Sequence, residues 1–183
     1  MRSVLAVLAA LVMGVLASCH GAAERAASFG QGPWYTRYAL YQEKNVHRTS
    51  NYRRGFLVPI NTRVTLLDVV KNQVRLKIDE TGETLVIENV PKHTKGPVEQ
   101  AVDRVLSPQP IDVSGFSAEE QQGIREGRAM PGMSRAAVLA AMGPPPESGT
   151  PNLDAMQWRY WDSVVTSFLV TFDAAGTVVN VGR

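Results

Sequence analysis

Residues 155–181, AMQWRYWDSVVTSFLVTFDAAGTVVNV, read as three short strands separated by two turns. In Ala155–Asp162 the residues Trp158 and Tyr160 alternate onto one face and Arg159 and Trp161 onto the other. Val165–Asp173 follows, carrying Phe168, Val170 and Phe172, and Asp173-Ala174-Ala175-Gly176 is a tight turn into Thr177–Val181. A sheet this small needs a second layer. The cover lies just upstream. Ser117-Ala118-Glu119-Glu120 is a capping box that opens a helix through about Glu126, with Gly127 as its stop. Ser134 caps a second helix that turns Ala137, Val138 and Ala141-Met142 toward the core and ends at Gly143 before Pro144. The expectation for 113–183 is a two-layer ααβββ domain, with Trp158, Tyr160, Phe168, Val170 and Phe172 inside and Trp161 on the open face.

The block at 34–97 reads differently. Trp34–Tyr41, Phe56–Ile60, Arg63–Val70, Gln73–Asp79 and Thr84–Val90 are strand candidates, and Gln73–Asp79 alternates cleanly, with Val74, Leu76 and Ile78 facing away from Arg75 and Lys77. Pro59 demotes its run to an edge or a bend. Short strands, tight turns and no crossover helix suggest a small antiparallel, SH3-like barrel. Residues 98–112 form a junction: Val98, Ala101, Val102 and Val105 make one apolar stripe on a short helix, and Pro108 and Pro110 stiffen the linker. The chain is thus expected to be α+β, with a strand-rich module preceding the ααβββ domain.

The N-terminus reads as an address. Arg2 precedes Val4–Leu16, an apolar or small run of 13 residues. As a helix this spans roughly 20 Å, short of the roughly 30 Å hydrocarbon core of a bilayer. It fits a signal-peptide core, so 1–18 is expected to be removed. Leu16-Ala17-Ser18-Cys19 resembles the lipobox of bacterial lipoproteins, and Cys19 is the only cysteine. The resemblance implies acylation at Cys19 and cleavage before it, which gives a permanent anchor because several acyl chains bury many methylenes. His20, where an Asp would favour inner-membrane retention in such lipoproteins, implies the outer membrane. Residues 19–33 are small and Gly/Ala/Ser-rich, a flexible tether.

A second resemblance covers about the last 65 residues. IREGRAMPGMSRAAVLAAMGPPP, then MQWRYW, then SFLVTFDAAGTVVNV, is similar to the BamE (SmpA/OmlA) family of outer-membrane lipoproteins. Ile124, Gly127, Gly132, Met133, Ser134, Val138, Gly143, Pro144, Trp158, Tyr160, Phe172, Asp173 and Gly176 fill that family's pattern. It implies an ααβββ fold that binds partners and serves outer-membrane β-barrel assembly or envelope integrity. Short family members have little before the first helix, whereas this chain carries the extra strand-rich block.

Composition narrows the chemistry. One cysteine allows no internal disulfide, and three histidines are a poor basis for a zinc site. Gly132-Met133-Ser134-Arg135-Ala136 is one residue from a nucleophile elbow, but no histidine follows Ser134. His47 and His93 are expected in exposed loops. No catalytic residue, metal or cofactor is expected, and the chain is read as a non-enzyme. A net charge of +2 argues against nucleic acid as a partner. The charge is unevenly spread: residues 34–97 carry net +5 and 98–183 net −4. The halves could attract each other, or the basic half could face anionic lipid or an acidic partner.

Two partner-binding candidates stand out. NVHRTSNYRR interleaves Tyr52 with Arg53 and Arg54 in a basic and aromatic loop, and QWRYW offers Trp161 beside Arg159, a pairing enriched at binding hot spots. Three functions remain open: a lipid-anchored, periplasm-facing, non-catalytic scaffold with an envelope protein partner; a lipid-, glycan- or peptide-binding module using the basic half; or, by fold analogy with the two-helix, three-strand repeats of β-lactamase inhibitors, an inhibitor of an envelope enzyme.

Overall fold

The computed structural model describes residues 29, 30 and 32–183; residues 1–18, expected as a signal segment, Cys19 and most of 19–33, expected as a tether, lie outside the described residues. The fold is mixed α+β, a curled multi-strand sheet with few helices. The first unit contains β1 (Trp34–Thr36), β2 (Leu40–Gln42), β3 (Val46–Arg48), β4 (Phe56–Val58), β5 (Arg63–Val70), β6 (Gln73–Ile78) and β7 (Thr84–Glu88). It continues through α1 (Pro91–Thr94), α2 (Val98–Val105) and β8 (Leu106–Ser107). Six strands form one sheet in the order β3-β7-β6-β5-β1-β8, and β2 pairs with β4 apart from it.

β5 owes its inward face to a bulge. Its pairing with β6 sets Val64 opposite Ile78, Leu66 opposite Leu76 and Val69 opposite Val74, with a register shift between Leu66 and Asp68. The extra residue, Leu67, changes the phase of the pleat, so Val64 and Val69 are both buried although they are five positions apart. α2 lays its stripe of Val98, Ala101, Val102 and Val105 against this sheet, and β8 then pairs with β1. The helix is therefore part of the first core, and the first unit runs to Ser107. The proline stretch after it is tied down as well: Asn61 donates from Nδ2 to the Ile111 carbonyl at 2.9 Å and accepts from the Ile111 N–H at 2.7 Å.

Three expectations for this unit are corrected. The run expected as one strand from Trp34 to Tyr41 is two, β1 and β2, because Arg37–Ala39 carries the chain from the large sheet to the β2–β4 pair. The unit is not purely antiparallel, since β3 runs parallel to β7 with His47 opposite Ile87. His47 is no exposed loop residue: it is wholly buried in β3. Lys44 and Asn45 both have positive φ, and Glu43 and Val46 exchange both backbone hydrogen bonds around them. This is a two-residue hairpin turn of the type normally marked by Asn-Gly. The unusual Lys-Asn sequence hides it.

The second unit contains α3 (Ala118–Glu126), α4 (Arg135–Met142), β9 (Gln157–Trp161), β10 (Ser167–Phe172) and β11 (Val178–Gly182), and the three strands form a sheet in the order β11-β10-β9. The capping box of α3 is complete: Ser117 Oγ accepts from Glu120 N–H, and Glu120 Oε2 accepts from Ser117 N–H. Glu120 Oε1 accepts from the Ser134 N–H at 2.9 Å and its hydroxyl at 2.7 Å, so one carboxylate ties the starts of both helices. Partial burial by itself would raise the Glu120 pKa, but the bonds from Ser134 and Ser117 outweigh it and hold the carboxyl below its usual range. Ser134 Oγ also caps α4. Under the helices Trp158 meets Phe172 edge to face at 4.7 Å, and Tyr160 stacks with the partly buried Phe168 at 5.8 Å.

Gly143 ends α4 at φ 71° and ψ 178°, a conformation nearly confined to glycine, and a Cβ there would lie 2.4 Å from the Tyr38 ring. Gly143→Ala should lower unfolding free energy by more than about 2 kcal/mol, since backbone strain of about 1–3 kcal/mol adds to the ring contact. Urea denaturation measures it.

His47 Nδ1 lies 2.9 Å from the Tyr41 carbonyl, and Nε2 is buried without a partner. Burial pushes its pKa down to about 4; the Tyr41 bond opposes this and the Arg53 charge assists it. The folded state thus keeps His47 neutral, while the unfolded chain takes up a proton near its usual 6.5. The stability this contributes is complete above pH 6.5 and is lost as pH falls toward 4, at about 1.4 kcal/mol per pH unit. Denaturation curves across that window should slope in the native protein and flatten in His47→Asn, which keeps a donor near Nδ1.

Candidate functional site

The segment 49–54 joins the two units. Thr49, Ser50 and Asn51 are buried, Tyr52 and Arg53 are half-buried, and only Arg54 stands clear. Asn51 adopts φ 54°, a left-handed conformation that asparagine tolerates better than most residues, and this turns its amide toward α4. Its Nδ2 donates to the Met142 carbonyl at 2.7 Å and the Pro144 carbonyl at 3.2 Å.

Arg53 completes the junction. Its Nη2 donates to the Gly127 carbonyl at 2.7 Å, and Nη1 donates to Ala39 O at 3.1 Å, Asn51 Oδ1 at 3.0 Å and Met142 O at 3.2 Å. Gly127 and Met142 are the C-terminal ends of α3 and α4. Helix C-termini leave carbonyls unpaired and carry a partial negative charge, so a guanidinium between two of them is held by both geometry and field. The plane also lies 4.6 Å from the centre of the Tyr41 ring, in cation–π range. Burial lowers the Arg53 pKa to about 10, opposed by Tyr160, Tyr41, Tyr38 and Asp162, so the group stays charged at neutral pH. The same burial pushes Tyr38 up to about 12, against the nearby Arg104 and Arg53 charges.

The residues singled out as partner-binding therefore separate. Arg53, read as part of a surface loop, is spent inside the chain. Arg54 is exposed and pairs with Glu43 at 2.8 Å, an ion pair of little energetic weight. Arg159 is exposed on the sheet face away from the helices and donates to Ser167 Oγ at 3.0 Å. Cys19 lies outside the described residues.

Tyr52 and Trp161 come together. They form an isolated parallel bridge in which the Arg53 N–H donates to the Trp161 carbonyl at 2.8 Å. The first unit thus covers part of the outer edge of β9, and Thr150 Oγ1 covers another part by accepting from the Arg159 N–H at 2.8 Å. Bridge partners share a face, and both residues line one cleft. Beside them is a cleft of about 300 Å³ whose walls include Ser50, Lys92, His93 and Val164. Trp161, expected on an open face, is half-buried there, its ring packed on the Gly149 backbone.

Sequence reading missed Asn51, Ser50, Lys92 and His93. Nothing local marks them, because their neighbours are supplied by residues about 40 to 90 positions away. Among the described residues no group of three or more His, Cys, Asp or Glu is placed to hold a metal ion, and no helix is long and apolar enough to cross a membrane.

Arg53→Met should remove all four bonds and destabilise the protein by about 3 kcal/mol or more, because hydrogen bonds from a charged donor contribute about 1.5–3 kcal/mol each and the carbonyls stay buried. Arg53→Lys should not restore this, since a point charge cannot span two helix ends as the planar fork does. Arg54→Met should stay within about 0.5 kcal/mol. Thermal unfolding of the three variants checks the order.

Comparison with protein-family models, curated proteins and solved structures returned no match for this chain.

Proposed function

We propose that this protein is a lipid-anchored, periplasm-facing lipoprotein of the outer membrane that acts as a non-catalytic scaffold in envelope assembly or integrity. The observation that carries the reading is the position of its one cysteine, in Leu16-Ala17-Ser18-Cys19 at the foot of a 13-residue apolar run. On this reading the last 65 or so residues are a BamE-like ααβββ domain, and the strand-rich block before them is an SH3-like module that sets this chain apart from the shortest relatives of that family.

The distribution of surfaces favours a binding role. The tip of the β9–β10 hairpin presents Val164 and Val165, 77% and 89% exposed, next to half-buried Trp161. Neighbouring apolar groups left in water at a hairpin tip are suited to seating against another protein. Ser134, the one serine in an elbow-like sequence, is held by Glu120 and the start of α4, as a helix cap.

Cys19→Ala tests the anchor. The wild-type chain should take up labelled fatty acid and sediment with membranes, and the variant, which retains no thiol, should remain unlabelled. An unlabelled wild-type chain would remove the anchor. A photo-crosslinker at Val165 should then capture an outer-membrane assembly protein from intact cells, whereas one at Asn180, on the far strand, should not.

A further inference from the structure

The cleft beside Tyr52 and Trp161 gathers several hydrogen-bonding groups that have no partner among the described residues. Ser50 forms part of its wall, is 2% exposed, and its Oγ has no hydrogen-bond partner. A buried hydroxyl without a partner is costly, and a bound oxygen reached by rotation of the Ser50 side chain toward the cleft would relieve it. His93 uses Nδ1 on Ser148 Oγ at 3.0 Å and leaves Nε2 unengaged. The Lys92 ammonium, the Tyr52 hydroxyl and the Trp161 indole N–H likewise have no partner among the described residues.

The set is rich in donors. The indole gives one, the ammonium three, and each hydroxyl can give one, while among the described residues no carboxylate lines the cleft. The acids nearest in sequence are committed elsewhere: Glu147 accepts from Arg104 at 2.7 Å, and Asp162 from Arg183 at 2.8 Å. A ligand that matches must bring acceptors and a negative charge. The bridge between residues 52 and 161 brings both aromatic residues to the cleft wall, where the phenol and indole offer apolar surface with polar tips. At about 300 Å³ the volume is at the small end for ligand sites and suits a single ring.

We propose that this cleft binds one pyranose unit of an acidic saccharide, with the C–H face of the sugar on the Tyr52–Trp161 platform and its carboxylate at Lys92. Sugar hydroxyls meet His93 Nε2 and the indole N–H, and Ser50 Oγ once its side chain rotates toward the cleft. The platform exists only when the two units are joined, because Tyr52 comes from one and Trp161 from the other. Neither half of the chain holds the site alone.

The test is titration of the full chain in detergent with glucuronate, glucose, acetate and an acidic tetrapeptide, read by saturation-transfer NMR and by Trp161 fluorescence, using Trp161→Phe to subtract Trp34 and Trp158. Glucuronate should bind more tightly than glucose or acetate. Lys92→Ala, at an exposed position outside both cores, should weaken glucuronate about 5- to 10-fold while leaving glucose unchanged. Equal binding of glucuronate and glucose, acetate as good as glucuronate, a preference for the peptide, no binding of any probe, or Lys92→Ala without effect would each overturn the proposal. The assay does not depend on acylation at Cys19, so loss of the anchor reading leaves it standing.

Discussion

The Arg53 guanidinium between the ends of α3 and α4 is the constraint on which the arrangement of the two units depends. A buried cation is costly unless its hydrogens are satisfied and its charge is balanced. Here no carboxylate among the described residues bonds to the guanidinium and its Nε–H is buried without a partner; the Nη hydrogens and the charge are met by the negative ends of two helices, the Tyr41 ring and four acceptor oxygens. Such a balance exists only when the helices and the first unit are all in place, because each acceptor is fixed by a different element. The interaction thus reports on the joined state and on neither part alone. Asn51 reinforces it with a neutral donor to the same helix end.

From that contact the rest of the seam follows. With Arg53 fixed, its own N–H is brought to the Trp161 carbonyl, and Tyr52 is set against β9. Tyr38 packs on Gly143 because α4 must end where Asn51 and Arg53 reach it. Tyr160 donates to the Gly143 carbonyl at 2.8 Å, so the last turn of α4 is held from the sheet below as well as from the first unit. Burial makes the three groups around Arg53, namely Tyr38, Tyr160 and His47, harder to ionise. One charge is retained there, and His47, which would otherwise take up a proton just below neutral pH and repel Arg53, is held neutral.

Legibility in the sequence follows the range of the interactions. α3 and α4 are bounded by Ser117, Gly127, Ser134 and Gly143, each acting within a few residues, and the sequence shows their limits to the residue. The burial of Trp158 and Tyr160 follows from alternation. The first unit resists because its defining features are not local: β3 finds a parallel partner some 40 residues away, β5 hides its phase in a bulge, and Lys44-Asn45 makes a turn without glycine. Arg53 and Arg54 are adjacent and chemically identical, and composition cannot say which of them is enclosed. What separates them is the reach of Arg53 to Gly127 and Met142, 74 and 89 positions on.

This separation redistributes the chemistry left for partners. The excess positive charge of residues 34–97 looks like one basic surface in sequence, yet Arg53 is withdrawn to the helix ends, and Arg48, Arg54, Arg63 and Arg75 each pair with a carboxylate of their own unit. An unscreened basic face for anionic lipid is therefore smaller than composition implies, since paired charges attract a distant anion weakly and salt screens what remains. Lys44, Lys71, Lys77, Lys92 and Lys95 have no ion pair among the described residues. Of these, Lys92 lines the cleft with Tyr52 and Trp161, where aromatic surface and unpartnered donors give its charge a shape as well as a sign.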